Sequence, residues 1–316
     1  MARKHVVERL NPDFGYFYTV ERELHREKTT YQDLELIETK ALGKVMLLDG
    51  ITQVCTKNDW LYHEPMVHPA LACHPDPRQV CIIGAGDGGI LREVLKHRVE
   101  RAVMCELDGG VIDSCKKLLP EVTGGCFEDP RSHIVVGDGR AYIQGQKGVF
   151  DTVIMDMTDP FGPSTMLYTK EYYQEVKRSL RDERGMFVMH GESPISRPRS
   201  HQQILKTLGT VWRHQAVFYL YIQMYAVLWS VVIASDHDEV QTITADELRK
   251  RLAARGISGL EVYTPETHHS MQVAFPFVAK IRSEAAGVPV VTDANPKFLD
   301  EIDINRAHAP IQIREG

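Results

Sequence analysis

From Phe14 to Val54, apolar residues recur at about every second position in short runs: Phe14–Val20, Asp33–Thr39, Gly43–Leu48 and Ile51–Val54. The two-residue period predicts strands, and Asp49-Gly50 predicts a tight hairpin turn between the last two. Together they predict a small antiparallel sheet, too small to stand alone, that packs on the main domain or on a second subunit. From Asp59 to Cys73 the spacing becomes helical, and His74-Pro75-Asp76-Pro77 ends it. Strands and helices then alternate: strand Val80–Ile83, helix Ile90–His97, strand Arg101–Leu107, helix Gly110–Leu119, strand His133–Val136, a short helix near Ala141, strand Thr152–Met155, helix Thr169–Leu180 and strand Gly185–Met189. That alternation predicts an α/β fold, a mostly parallel sheet with helices on both faces. The apolar, aromatic-rich stretch Ala216–Ser235 reads as two strands without a legible boundary, and Ala245–Arg255 as an amphipathic helix. Residues 1–55 are expected to form an N-terminal β-sheet domain and residues 56–316 the second domain, with the tail 287–316 looping mostly over the surface.

The stretch Cys81-Ile82-Ile83-Gly84-Ala85-Gly86-Asp87-Gly88-Gly89 is an apolar strand running into a glycine turn that opens a helix. Gly84, Gly86 and Gly89 fit the G-x-G-x-x-G spacing that lets a backbone approach a nucleotide closely. A carboxylate at Asp87 would repel a pyrophosphate seated on the helix N-terminus. The loop therefore suits a ligand that lacks phosphate and carries positive charge.

In such sheets ligands bind at the carboxyl ends of the strands, and the acids fall there. Asp87 follows the first strand, Glu106 and Asp108 end the second, Asp138 follows the third, and Asp156 ends the fourth with Asp159 three residues on. Glu106, 22 positions after Gly84, stands where an acid accepts hydrogen bonds from ribose hydroxyls. Asp138-Gly139 reads either as an acceptor for an adenine amine or as a turn. Asp156 and Asp159, pinned by Pro160 and Pro163, can face one pocket and would raise each other's pKa unless a cation sits between them. No His or Cys stands at ligand spacing beside them, so no metal is expected, and an organic polycation fits better.

Composition narrows the partner class. The 316 residues carry a formal charge of -6 and no basic run that would neutralise a row of phosphates, which argues against nucleic acid. No apolar run approaches the ~18 residues of a membrane span, and the N-terminus lacks an apolar leader core. The six cysteines form no C-x-x-C pair and read as reduced, structural thiols. A cytoplasmic location is the expectation.

The chain resembles the spermidine synthase (polyamine aminopropyltransferase) family from about Phe14 to Pro276. The matching pieces are Tyr31-Gln32-Asp33, Leu48-Asp49-Gly50, Gln53, Asp59 with Tyr62-His63-Glu64, the glycine loop with Asp87, Leu91 to His97, Glu106-Leu107-Asp108, Asp129-Pro130-Arg131, Gly137-Asp138-Gly139 and Asp156 to Pro163. The resemblance implies a Rossmann-like, methyltransferase-type catalytic domain behind the small sheet, assembled as a homodimer or homotetramer. It implies transfer of the aminopropyl group of decarboxylated S-adenosylmethionine, a co-substrate rather than a cofactor, to a polyamine, with release of methylthioadenosine. Carried onto matching positions, Asp156 is the proton acceptor and with Asp87 holds the donor's primary amine. Gln32, Glu106, Asp138, Gly139 and Pro163 would line the donor nucleoside. Tyr62, His63, Asp159 and Tyr225, with Asp87 and Asp156, would position the acceptor.

Two stretches depart from the family pattern. Ile222-Gln223-Met224-Tyr225 lacks the usual proline, and His190 stands where Gln is common. Thr292-Asp293-Ala294-Asn295-Pro296 is similar to extensions in agmatine- and thermospermine-forming relatives. Putrescine is the first expectation for the acceptor, with agmatine, cadaverine or spermidine behind it. The enzymatic rival is an S-adenosylmethionine-dependent small-amine N-methyltransferase on the same fold, against which Asp87 argues. A binding-only protein would be expected to lose Asp156 or Tyr62, and both are present.

Overall fold

The computed structural model describes residues 4–11 and 13–300. At the N-terminus, β1 (Lys4–Asn11) and β2 (Phe14–Val20) form a two-stranded antiparallel sheet. A four-stranded antiparallel sheet follows, from β3 (Arg22–Lys28), β4 (Asp33–Thr39), β5 (Gly43–Leu48) and β6 (Ile51–Cys55) in sequential order. The hairpin predicted at Asp49-Gly50 is present, with Leu48 opposite Ile51 and both turn residues at positive φ, 50° and 79°. The strands β1 and β3 escape the alternation test for a physical reason. Arg22–Lys28 holds one apolar residue because it is a sheet edge, exposed or half-buried along its length.

The second part is a seven-stranded sheet of order β12-β13-β11-β10-β7-β8-β9. Its strands are β7 (Gln79–Gly84), β8 (Arg101–Glu106), β9 (Ser132–Val136), β10 (Thr152–Asp156), β11 (Met186–His190), β12 (His214–Ile222) and β13 (Val227–Ser235). The five strands from β11 to β9 run parallel, and β13 and β12 are added antiparallel. The boundary inside 216–235 is a turn at Gln223–Tyr225 followed by Ala226 at φ 52°, a left-handed position filled without Gly, Asn or Pro. That is why no turn signal is legible there.

Alternate strand residues serve opposite faces, as the pleat requires. Val80, Ile82, Ala102, Met104, Ile154 and Val188 join one core with helices α1 (Trp60–Cys73), α2 (Gly89–Leu95) and others. Cys81, Ile83, Val103, Cys105, Val153 and Phe187 join a second core on the far face. The small sheet is not free-standing: Leu34, Leu36, Met46 and Val54 pack on Val111, Cys115 and Leu119 around α3 (Gly109–Leu118). The remaining helices are α4 (Pro120–Thr123), α5 (Gly139–Gln144), α6 (Lys170–Ser179), α7 (Pro198–Gly209), α8 (Glu239–Thr242), α9 (Ala245–Arg255), α10 (Pro265–Met271) and α11 (Pro276–Ser283). Within the tail Val288, Val291 and Phe298 are buried and tie it down, while residues 301–316 lie outside the described residues. All six cysteines are free and buried. No described helix is long and apolar enough to cross a membrane.

Candidate functional site

The chain leaves β7 towards β8 and β9 on one side and returns to β10 on the other, so β7 and β10 flank the point where the winding reverses. Open α/β sheets take ligands in the crevice beyond the strand ends at that point. A cavity of about 540 Å³ lies there, lined by Gly84, Asp87, Glu106 and Asp156 from the sheet and by Glu8, Tyr16, Gln32 and Gln53 from the N-terminal sheets. Its size suits a small-molecule ligand. Gly84 makes the close strand approach possible: φ is +84°, and a Cβ would lie 2.0 Å from the Asp156 carbonyl oxygen.

At the end of β8, Glu106 accepts the Asp108 N–H at 2.8 Å. Burial, helped by the charges of Asp108 and Asp156, pushes its carboxyl up to about 7. Asp108 caps α3 through the Gly110 N–H and accepts Thr29 Oγ1 at 2.6 Å and Gln32 Nε2 at 3.0 Å. Gln32 thus reaches the cavity on a strut that joins the small sheet to β8. Pro163 lines the cavity from the turn Gly162–Leu167.

Asp138 and Gly139 stand outside the lining. The Asp138 carboxylate accepts the N–H groups of Arg140 and Ala141 and caps α5, and Gly139 is close-packed, with its Cβ position 2.5 Å from Ile83 Cγ2. This cap is what the turn reading of Asp138-Gly139 expects.

Asp87 lines the cavity with a buried carboxyl held from behind. His63 Nε2 lies 3.6 Å from Asp87 Oδ2, and His63 Nδ1 lies 3.1 Å from Asp59 Oδ2. Burial opposes a charge on His63, yet the flanking carboxylates of Asp87 and Asp59 prevail and hold the imidazolium to about 10. In return, burial would raise Asp87, but the His63 charge keeps it below the usual carboxylate value. His63 therefore stands behind the cavity lining and carries Asp87. Gly89, the last glycine of the loop, makes room for the ring: a Cβ there would sit 2.1 Å from His63 Cε1. The ladder continues inward as Arg92 Nη2 meets Asp59 at 2.8 Å, Arg92 Nε meets Glu93 at 2.9 Å, and His68 meets Glu93 at 2.8 Å and His97 at 2.9 Å.

At the end of β10, Tyr62 donates its hydroxyl hydrogen to Asp156 Oδ1 at 2.6 Å. Burial and the Asp87 charge raise Asp156 to about 6 against the lowering by Tyr62 and His63. Tyr225 lines the cavity with its ring 6.0 Å from that of Tyr62 and 5.2 Å from that of Trp229. Asp159 also lines it, but its Oδ2 is held by Arg197 Nη1 at 2.6 Å. Glu8, Arg197 and Trp229 carry no motif and are legible only in the fold. Glu8 is fixed by the N–H and hydroxyl of Thr52, and burial lifts it to about 7. Among the described residues, Asp159, His190 and Glu192 form the one group with ligand atoms close enough to hold a metal ion. Arg197 Nη1, however, already bridges both carboxylates, at 2.6 and 3.1 Å.

Known proteins share this chain's sequence pattern and fold. Residues 59–245 match the family model described as the spermine/spermidine synthase domain, and residues 6–56 match the spermidine synthase tetramerisation domain. The chain is 36% identical over 310 residues to a polyamine aminopropyltransferase of Nitrosomonas europaea, covering 98% of this chain and 94% of that one. It is 35% identical over 296 residues to one from Korarchaeum cryptofilum, covering 93% and 91%. Spermidine synthase from Thermotoga maritima superimposes with a TM-score of 0.80 at 31% identity, over 89% of this chain and 94% of that one. A spermidine synthase solved in complex with the transition state analogue AdoDATO gives the same values. The chain belongs to the spermine/spermidine synthase family and is a transferase of the spermidine synthase type.

Proposed function

We propose that the protein transfers the aminopropyl group of decarboxylated S-adenosylmethionine to a polyamine amine, with putrescine as the acceptor and spermidine and methylthioadenosine as products. The observation that carries this reading is that Asp87, Glu106 and Asp156 all line one cavity at the switch point of the sheet. Glu106 suits ribose hydroxyls, and Asp87, kept ionised by His63, suits the donor's ammonium. Asp156 takes a proton from the attacking ammonium, because a nitrogen without a free lone pair cannot attack. The lone pair then forms a bond to the sulfonium-bound carbon while the carbon–sulfur bond breaks and its electron pair stays on sulfur. Alignment supplies most of the remaining barrier lowering, and no metal or resident cofactor is called on.

Ordinary S-adenosylmethionine would bring its carboxylate against Asp87 and Asp156 and is disfavoured. The matched tetramerisation domain and the exposed Phe14, Phe17 and Tyr31 support a homodimer or homotetramer as part of the proposal. A cytoplasmic location is also part of it, supported by six unpaired thiols.

The test is incubation of the purified protein with decarboxylated S-adenosylmethionine and a panel of amines, read by mass spectrometry. A gain of one aminopropyl unit on putrescine is expected. Methyl gain from S-adenosylmethionine would replace this reading with the methyltransferase one.

A further inference from the structure

The acceptor end of the cavity already contains a cation of the protein's own. Arg197 immediately precedes α7, lines the cavity, and places Nη1 2.6 Å from Asp159 Oδ2 and 3.1 Å from Glu192 Oε2. Its side chain is 12% exposed and that of Glu192 is fully buried. Glu192 is held in a left-handed backbone conformation, φ 62°, with its carbonyl accepting the Ser230 hydroxyl at 2.7 Å. His190 beside it adds no charge: its Nε2 meets the Met157 carbonyl at 3.0 Å and the Tyr168 hydroxyl at 2.7 Å, its Nδ1 lies 4.0 Å from Glu192 Oε1, beyond hydrogen-bond reach, and burial keeps it neutral.

We propose that Arg197 is a specificity-determining residue that fills one cation position of the acceptor cleft and so restricts the acceptor to a short α,ω-diamine. The inference rests on the aminopropyl-transfer reading above. Asp159 and Glu192 would otherwise form a paired carboxylate site for an ammonium or a guanidinium. With Arg197 between them, a triamine brings its extra ammonium against a guanidinium, and a guanidino-amine finds its bidentate carboxylate position taken. Glu8, held by Thr52 rather than by a cation, is left to meet the distal ammonium of a diamine.

The experiment compares kcat/KM for putrescine, spermidine and agmatine at saturating donor in the full chain and in Arg197→Met. The wild type should prefer putrescine. Arg197→Met should raise the spermidine-to-putrescine ratio of kcat/KM by about 10-fold, mainly through a lower KM for spermidine and without a change in donor KM. Because leaving Asp159 and Glu192 without their guanidinium can unfold the variant, Arg197→Met combined with Glu192→Gln takes away the guanidinium and the fully buried carboxyl together and should move the ratio the same way. A folded variant with an unchanged ratio, or a wild type that prefers spermidine or agmatine, overturns the inference while leaving aminopropyl transfer intact. Absence of transfer to any amine by the wild type overturns the underlying reading and this inference with it.

Discussion

Asp156 sits where a general base is useful, between the Tyr62 hydroxyl and a second carboxylate, with a pKa lifted to about 6 by burial and by Asp87. Asp156→Asn should keep the fold and lose about 100-fold or more in kcat, measured with putrescine under saturation, because an amide cannot take the proton. Tyr62→Phe tests the tuning. Its hydrogen bond lowers the Asp156 pKa, so removing it raises that pKa, and the base is then protonated at higher pH. The acid limb of the kcat/KM profile should move up by about one unit, since a hydrogen bond to a charged group is worth about 1.5 kcal/mol. Asp87, Glu106, Asp156 and Tyr62 were legible because each stands in a motif at a strand end or a helix start. Arg197 and Glu8 were not, because their relevance comes from contacts with Asp159 and Thr52, 38 and 44 positions away. Asp138 has two readings in the sequence because an Asp-Gly after a strand serves equally well as a helix cap, which it does here.

At the level of elements, α1 organises the interior. Pro65 and Pro69 lie inside it, and its residues from Tyr62 to Cys73 are all buried, so it shows no amphipathic stripe. Its helical spacing was legible, but which face points where was not. Glu64 on this helix accepts the N–H groups of Glu261, Val262 and Tyr263 at 2.9, 2.8 and 3.0 Å. That carboxylate fastens the segment ahead of α10 to the helix that also carries Tyr62 and His63. Glu64→Ala should cost about 3 kcal/mol in a denaturant titration, because one buried and two part-buried donors lose their acceptor. The parallel strands were readable as apolar runs with an acid at the end. The edge strand β3 was not, since solvent on one side removes the apolar signal.

For the whole molecule, burial sets two opposing families of titrating groups. Glu8 and Glu106 are raised to about 7, Asp156 to about 6 and Glu192 to about 8, each chiefly by burial. Folding therefore takes up protons at these sites, and the stability they lend is present at low pH and fades as pH rises through those values. His201 and His268, lowered by burial to about 4 and about 3 from 6.5, act the other way, losing stability as pH falls below 6.5. The two trends oppose each other in mildly acid solution and should flatten the stability curve there. A cationic ligand favours the ionised carboxylates. Putrescine or donor binding at pH 6.5 should therefore release about one proton or more, seen as a binding enthalpy that changes with the ionisation enthalpy of the buffer. The dependence should fade at pH 9, above all four carboxyl values.

The six buried thiols, spread over β6, α1, β7, β8, α3 and the turn at Cys126–Glu128, have a consequence for handling the protein. Burial lifts Cys55 and Cys126 to about 12, so the reactive thiolate is scarce as well as shielded. An alkylating reagent will mark chains only while they are open, and the pattern of marked sites records which layer came apart first. The molecule thus carries its own stopwatch for unfolding, with no label to engineer.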